Sequence, residues 1–214
     1  MLPNWRDFLL PQASMWLVGL TGLHCAVDST LYLWMPKFLA SAAFAGPPPI
    51  PPGVVLSAFS LTYLLSRGIL TLLPDAWGRR SLLVLPGLLG GGIVLYGLFS
   101  GSYLVTAGAY VLAGLIWSCE YPAMLGMLAG DGRHFGTALA MAQVVGGILT
   151  FGFMFGVGHI SAAVGSANMI PAMALPATGF ILIGFGGLVW LYRYHNRHNA
   201  VRTLKGKPLC QESV

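Results

Sequence analysis

The sequence predicts an all-α integral membrane protein in which six transmembrane helices form one bundle. Three observations carry that prediction. Apolar residues make up 56% of the chain and charged residues only 8%, which leaves too little polar surface to cover a soluble domain of this size. The apolar residues fall in runs close to the roughly 20 that a helix needs to cross hydrocarbon. Between the runs stand short segments rich in proline, glycine or charge, and these stop helices.

The first span is expected over residues 14–40, before "AGPPPIPPG" (45–53), which holds too many prolines to stay helical. The small-residue stretch "ASAA" (40–43) resembles a signal-peptide cleavage site. The preceding run, however, is longer than the usual signal core of about 7–15 residues and contains His24 and Asp28, so a retained span is expected. The second span, 54–73, ends at the charged "PDAWGRR" (74–80). The third and fourth are expected over 81–100 and 103–129, the latter closed by "GDGRHFG" (130–136). The fifth covers 136–160 and is separated by "VGSANMIPAM" (164–173) from the sixth, 172–192. Residues 1–13 and 193–214 remain as terminal segments around a bundle of 14–192.

Lysines and arginines set the expected orientation. With six spans, the N-terminus, the second and fourth connectors and the C-terminus share one side, which carries Arg6, Arg79, Arg80, Arg133, Arg193, Arg197, Arg202, Lys205 and Lys207. The other side has Lys37. The positive-inside rule therefore places both termini in the cytoplasm, most simply at a bacterial inner membrane. The net charge of +5 is explained by topology and calls for no nucleic acid. The basic tail "RYHNRHNAVRTLKGKP" (193–208) reads as a topology anchor, with anionic lipid headgroups as the other candidate partner. Cys25 and Cys119 fall in spans and Cys210 in the tail, so no disulfide framework is implied, and no metal-ligand spacing or cofactor signature appears.

Ionisable residues inside spans are costly and turn toward partners or a water-filled cavity. Asp28 lies near the centre of the first span, with His24 one turn before it and Tyr32 one turn after, which puts the three on one helical face. Facing a solvated cavity, such a carboxyl group can exchange protons; packed against neighbouring helices, it only fixes their arrangement. By helical rise, Arg67 and Glu120 sit at similar depth, each about 6 Å to the cytoplasmic side of its span's centre. An Arg67–Glu120 pair is therefore expected.

The loop "DAWGRR" (75–80) resembles the signature that closes the turn between the second and third helices in each half of a major facilitator superfamily transporter. Asp75, Gly78, Arg79 and Arg80 match it, whereas Ala76 stands where a basic residue is usual. Thr71 occupies the place of the family's preceding glycine. "YLWMPKFL" (32–39), "LLSRG" (64–68) and "CEYPAMLGMLAGDGRHFGTALAMAQVVGGI" (119–148) are similar to the C-terminal half of such a transporter, and the resemblance covers most of 14–192.

The resemblance implies one bundle of two inverted three-helix repeats, working by alternating access against a second bundle. Asp28 before Pro36 and Glu120 before Pro122 form a weak internal echo of that repeat. It also implies that the first and fourth spans line a central path, with His24, Asp28, Tyr32, Trp117, Glu120 and Tyr121 toward a small-molecule substrate and Gln143 and Arg67 nearby. Aromatic residues in a bundle are, however, more often packing groups. The glycines in "GLLGGG" (87–92) and "GFGG" (184–187) allow close helix approach. "GGILTFGFMFGVG" (146–158) is a candidate for bending.

The expected function is secondary transport of a small solute, with proton coupling at Asp28. The second bundle would come from a homodimer or a separate N-terminal half, unless this bundle is a truncated product. The alternatives are a non-transporting accessory bundle and a membrane-embedded enzyme using His24 and Asp28 as acid and base. Without a nucleophile motif or phosphate loop, no enzyme is expected.

Overall fold

The computed structural model describes residues 12–41, 43–44, 46–72, 81–130 and 134–195. Among the described residues, seven α-helices make six spans: α1 (Gln12–Leu39), α2 (Pro52–Leu72), α3 (Ser81–Phe99), α4 (Tyr103–Trp117), α5 (Glu120–Ala129), α6 (Phe135–Val164) and α7 (Ile170–Trp190). Among the described residues there is no strand. The expected boundaries hold to within four residues. The loop carrying Asp75, Gly78, Arg79 and Arg80 lies outside the described residues, as do Arg133 and the tail from 196 onward.

Five spans are long and apolar enough to cross a membrane: Pro52–Leu70, Ser81–Phe99, Tyr103–Ala129, Phe135–Val164 and Ile170–Arg193. The exception is α1. Its 28 residues give a length of about 42 Å, ample for a crossing, but His24, Asp28 and Lys37 lower its hydropathy. Its position explains how this is tolerated. α1 packs against α6 and α7 and also touches α2 and α5, so most of its side chains from Leu17 to Leu39 meet protein rather than lipid.

The fourth span is not one helix. Residues Ser118 and Cys119 form a turn between α4 and α5. Pro122 accounts for it: a proline has no N–H to give to the carbonyl four residues earlier, here that of Ser118, and its ring crowds that carbonyl. Regular bonding resumes with the Ala123 N–H donating to the Cys119 carbonyl at 3.3 Å. The break makes Glu120 the first residue of a new helix, within the bundle.

α3 and α7 pack together as extensively as any pair of helices here, and glycine makes it possible. A Cβ on Gly87 would lie 2.5 Å from the Phe180 carbonyl oxygen and 2.8 Å from the Gly184 nitrogen, both backbone atoms that cannot swing away. The two helices therefore touch backbone to backbone, the contact that small residues give membrane helices where the hydrophobic effect supplies no attraction. The remaining major pairings are α1 on α6, α4 on α3, α4 on α2 and α1 on α7. Polar links reinforce some of these. Trp16 Nε1–H donates to the Gly186 carbonyl at 2.9 Å, Thr62 Oγ1–H to the Val111 carbonyl at 3.0 Å and Thr106 Oγ1–H to the Gly97 carbonyl at 2.8 Å. α3 and α7 are the most enclosed of the five apolar spans, and α2 and α6 the most exposed.

Substituting Gly87 by alanine should destabilise the bundle by about 1–3 kcal/mol through forced separation of α3 and α7. Gly92→Ala, where an added Cβ meets nothing within 4 Å, should be neutral or slightly stabilising. Unfolding midpoints of the two variants in the same detergent test the contrast.

Candidate functional site

Two stripes with a four-residue period run along neighbouring helices, His24–Asp28–Tyr32 on α1 and Phe59–Tyr63–Arg67 on α2. Between the helices lies a cavity of about 430 Å³ lined by Asp28, Ser29, Tyr32, Leu33, Phe59, Ser60 and Tyr63. The Tyr63 hydroxyl donates to Asp28 Oδ2 at 3.2 Å. Tyr63 in turn carries Arg67, whose guanidinium carbon lies 4.6 Å from the ring centroid. Tyr32 lies at the open side of the cavity, tilted toward Phe59 with 6.4 Å between ring centroids. Phe59 and Tyr63 follow at 5.6 Å.

One turn earlier on α1, His24 leaves the cavity and enters the interior. With Glu120 ionised, His24 Nδ1–H donates to Glu120 Oε2 at 2.9 Å, and both side chains are almost wholly buried. Three rings and a glycine enclose this pair. Tyr121 stacks on His24 at 5.8 Å, and Phe180 of α7 meets His24 edge-on at 5.5 Å. Trp117 stacks on Phe180 at 3.7 Å, and a Cβ on Gly87 would stand 3.0 Å from Glu120 Oε1. At the far edge, Gln143 Nε2–H of α6 donates to the Tyr121 hydroxyl at 3.2 Å.

The result is a polar sequence that crosses the bundle from α2 to α6: Arg67, Tyr63, Asp28, His24, Glu120, Tyr121, Gln143. Among the described residues, Asp28 Oδ1 and His24 Nε2 are buried and make no hydrogen bond to protein. They belong to side chains one turn apart on the same helix, so hydrogen-bonding capacity is left between the two paired units. Among the described residues, no three His, Cys, Asp or Glu side chains gather closely enough to hold a metal ion.

The structure corrects the expected Arg67–Glu120 pair. Glu120 is paired with His24, and Arg67 is exposed and stacked on Tyr63. Equal depth does not imply equal azimuth: α2 packs on α4 and only lightly on α1, so Arg67 remains at the edge while the α4–α5 break turns Glu120 inward. The expected His24–Asp28–Tyr32 face also divides. Asp28 and Tyr32 line the cavity, but His24 is 1% exposed and lies in the core.

Trp117, expected beside the central path, is fully buried among α3, α4 and α7, with its ring where a Cβ on Gly90 would stand. Glu120, Tyr121 and Gln143 are brought together as one group. Sequence reasoning missed Tyr63 and Phe59. The signal was their spacing, since they stand one and two turns before Arg67.

Together the fold and this site define a polytopic, all-helical membrane protein with a chain of polar side chains through its bundle. Compared with known protein families, curated proteins and solved structures, the chain matches none.

Removing His24 should destabilise the bundle by about 2 kcal/mol. That lies above the roughly 0.6 kcal/mol average for hydrogen bonds between membrane helices and below the 3–5 kcal/mol lost when one member of a buried ion pair is deleted. His24→Ala combined with Glu120→Gln should recover part of the loss, because no carboxylate is then left unpaired. A double-mutant cycle on unfolding midpoints in detergent measures that recovery, and strict additivity would refute the pairing as a stabilising unit.

Proposed function

We propose that this protein is one bundle of a secondary transporter of the major facilitator kind, moving a small solute by alternating access. The observation that carries the reading is the polar sequence from Arg67 to Gln143, placed across helices within the apolar thickness of the bundle. Side chains of this kind are expensive in a membrane and mark solute or proton paths. The reading makes the protein a transporter rather than an enzyme, in a membrane with both termini on the cytoplasmic side.

The helix pairings support the reading. Let α1–α3 be one repeat and α4 to α7 the other, with α4 and α5 counted as a single span. Exchanging the two repeats turns the α1–α6 pairing into α4–α2, turns α1–α7 into α4–α3, and leaves α3–α7 unchanged. All of these are major contacts. Such an exchange is compatible with two three-helix repeats, although the α6–α7 pairing has no counterpart of like extent between α2 and α3. α1 and the α4–α5 span then occupy equivalent places, and they supply Asp28 and Glu120.

In the proposed mechanism, Asp28 takes up and releases the coupling proton beside the cavity. His24 and Glu120 form the inner pair, which carries the charge state of α1 to the start of α5. Tyr63 holds the Asp28 carboxylate in place, with Arg67 stacked on the Tyr63 ring. The second bundle would cover the open side of the cavity and shield Asp28 from lipid.

The native mass of the protein, extracted gently from its own membrane, should correspond to two six-helix bundles. In proteoliposomes, a panel of amino acids, sugars and organic amines should include at least one solute whose addition moves protons. Asp28→Asn should abolish that movement without lowering the unfolding midpoint by more than about 1 kcal/mol. A one-bundle mass together with no solute-dependent flux would refute the reading.

A further inference from the structure

We infer that the cavity between α1 and α2 is a binding site for a small organic cation bearing apolar or aromatic groups. For the role of that cation as the transported solute, the inference rests on the transport reading above. The site itself stands on its own geometry.

The lining combines one carboxylate with three aromatic rings. Asp28 contributes the charge, and Tyr32, Phe59 and Tyr63 form a continuous wall with neighbouring centroids 6.4 and 5.6 Å apart. A cation within about 6 Å of an aromatic face is attracted to the ring quadrupole, most strongly where water is excluded. The volume of about 430 Å³ falls in the range of small-molecule sites. Leu33 supplies an apolar edge, and Ser29 and Ser60 add small side chains.

The chemistry of Asp28 selects the sign of the charge. Its Oδ2 accepts from Tyr63, and its wholly buried Oδ1 has no hydrogen bond among the described residues, so the carboxylate offers a ligand in the cavity its negative charge rather than a free lone pair. A lipid tail would fill the apolar lining and leave the carboxylate uncompensated in hydrocarbon, which is costly. An anion would meet Asp28 directly. Arg67 is engaged on the face of Tyr63 and is absent from the cavity lining, and the His24 imidazole is turned to Glu120. A ligand cation beside Asp28 supplies the missing charge, and the rings accommodate its body.

Tetraphenylphosphonium and tetraphenylborate test the assignment, because they are close in size and shape and opposite in charge. The protein, in lipid nanodiscs, is titrated with each ion against empty nanodiscs as the partition control. The phosphonium should saturate one site per chain and the borate should not. Asp28→Asn should weaken phosphonium binding by at least about tenfold, and Tyr32→Ala, a change at the open side of the cavity, by about threefold. Arg67→Gln should tighten binding by about threefold, since it removes a competing positive charge.

Equal binding of both ions, or Asp28→Asn and Tyr32→Ala variants that keep wild-type affinity, would overturn the proposal. Should Asp28→Asn fail to fold, the Tyr32→Ala and Arg67→Gln shifts still decide it by their opposite signs. Solute-driven proton flux without phosphonium binding would leave the transport reading and remove the cation site. Saturable phosphonium binding in a protein that moves no solute would do the reverse.

Discussion

The structure is organised around two carboxylates that must be kept in a place where water is scarce. Glu120 is met by His24 at 2.9 Å and Asp28 by Tyr63 at 3.2 Å, and each solution requires a particular helix at a particular angle. The most polar span, α1, therefore takes the middle of the bundle, where α2, α5, α6 and α7 all reach it. The Ser118–Cys119 turn has a related role: the break that Pro122 imposes lies just before Glu120, at the point where that acid turns to His24.

The remaining spans form a dry counterpart to this polar centre. α3 and α7 meet through Gly87 and Gly184, and their contact holds through backbone proximity without charged residues. Phe180 links the two regions, with one face stacked on Trp117 and its edge toward His24. The inner pair thus sits against a closely packed wall, while Asp28, one turn away, borders open space.

Much of the fold was legible because it follows from length and punctuation. Apolar runs near 20 residues fix the spans, and Pro52, at the first position of α2, marks where the proline-rich connector can turn helical. The site was only half legible. Asp28 and Glu120 lie inside helical spans, as their sequence depth implies, yet depth says nothing of rotation about the helix axis, so Arg67 was matched with the wrong partner. Spacing at i and i+4 set His24 and Asp28 on one face of α1, but one face of a central helix borders two environments, the core for His24 and the cavity for Asp28. Tyr63 could have been found from its place one turn before Arg67, had the search included neutral donors as well as charges. The interruption of the fourth span was written in Pro122, four residues after Ser118.

The uneven hold on the six spans bears on how such a bundle would work. α2 rests on α4 and touches α1 lightly, and the Tyr63–Asp28 hydrogen bond is a polar link between α1 and α2. A typical hydrogen bond contributes about 1 kcal/mol net, and one to a charged group about 1.5–3 kcal/mol. The charge on Asp28 is therefore worth about 0.5–2 kcal/mol to that one link. A proton or a cation arriving at that carboxylate changes the strength of the link. The α3–α7 contact, which depends on backbone proximity, is untouched by the same event. On the proposed transport reading, charge at Asp28 alters the α1–α2 link while α2 keeps its packing on α4 and the α3–α7 contact is unchanged.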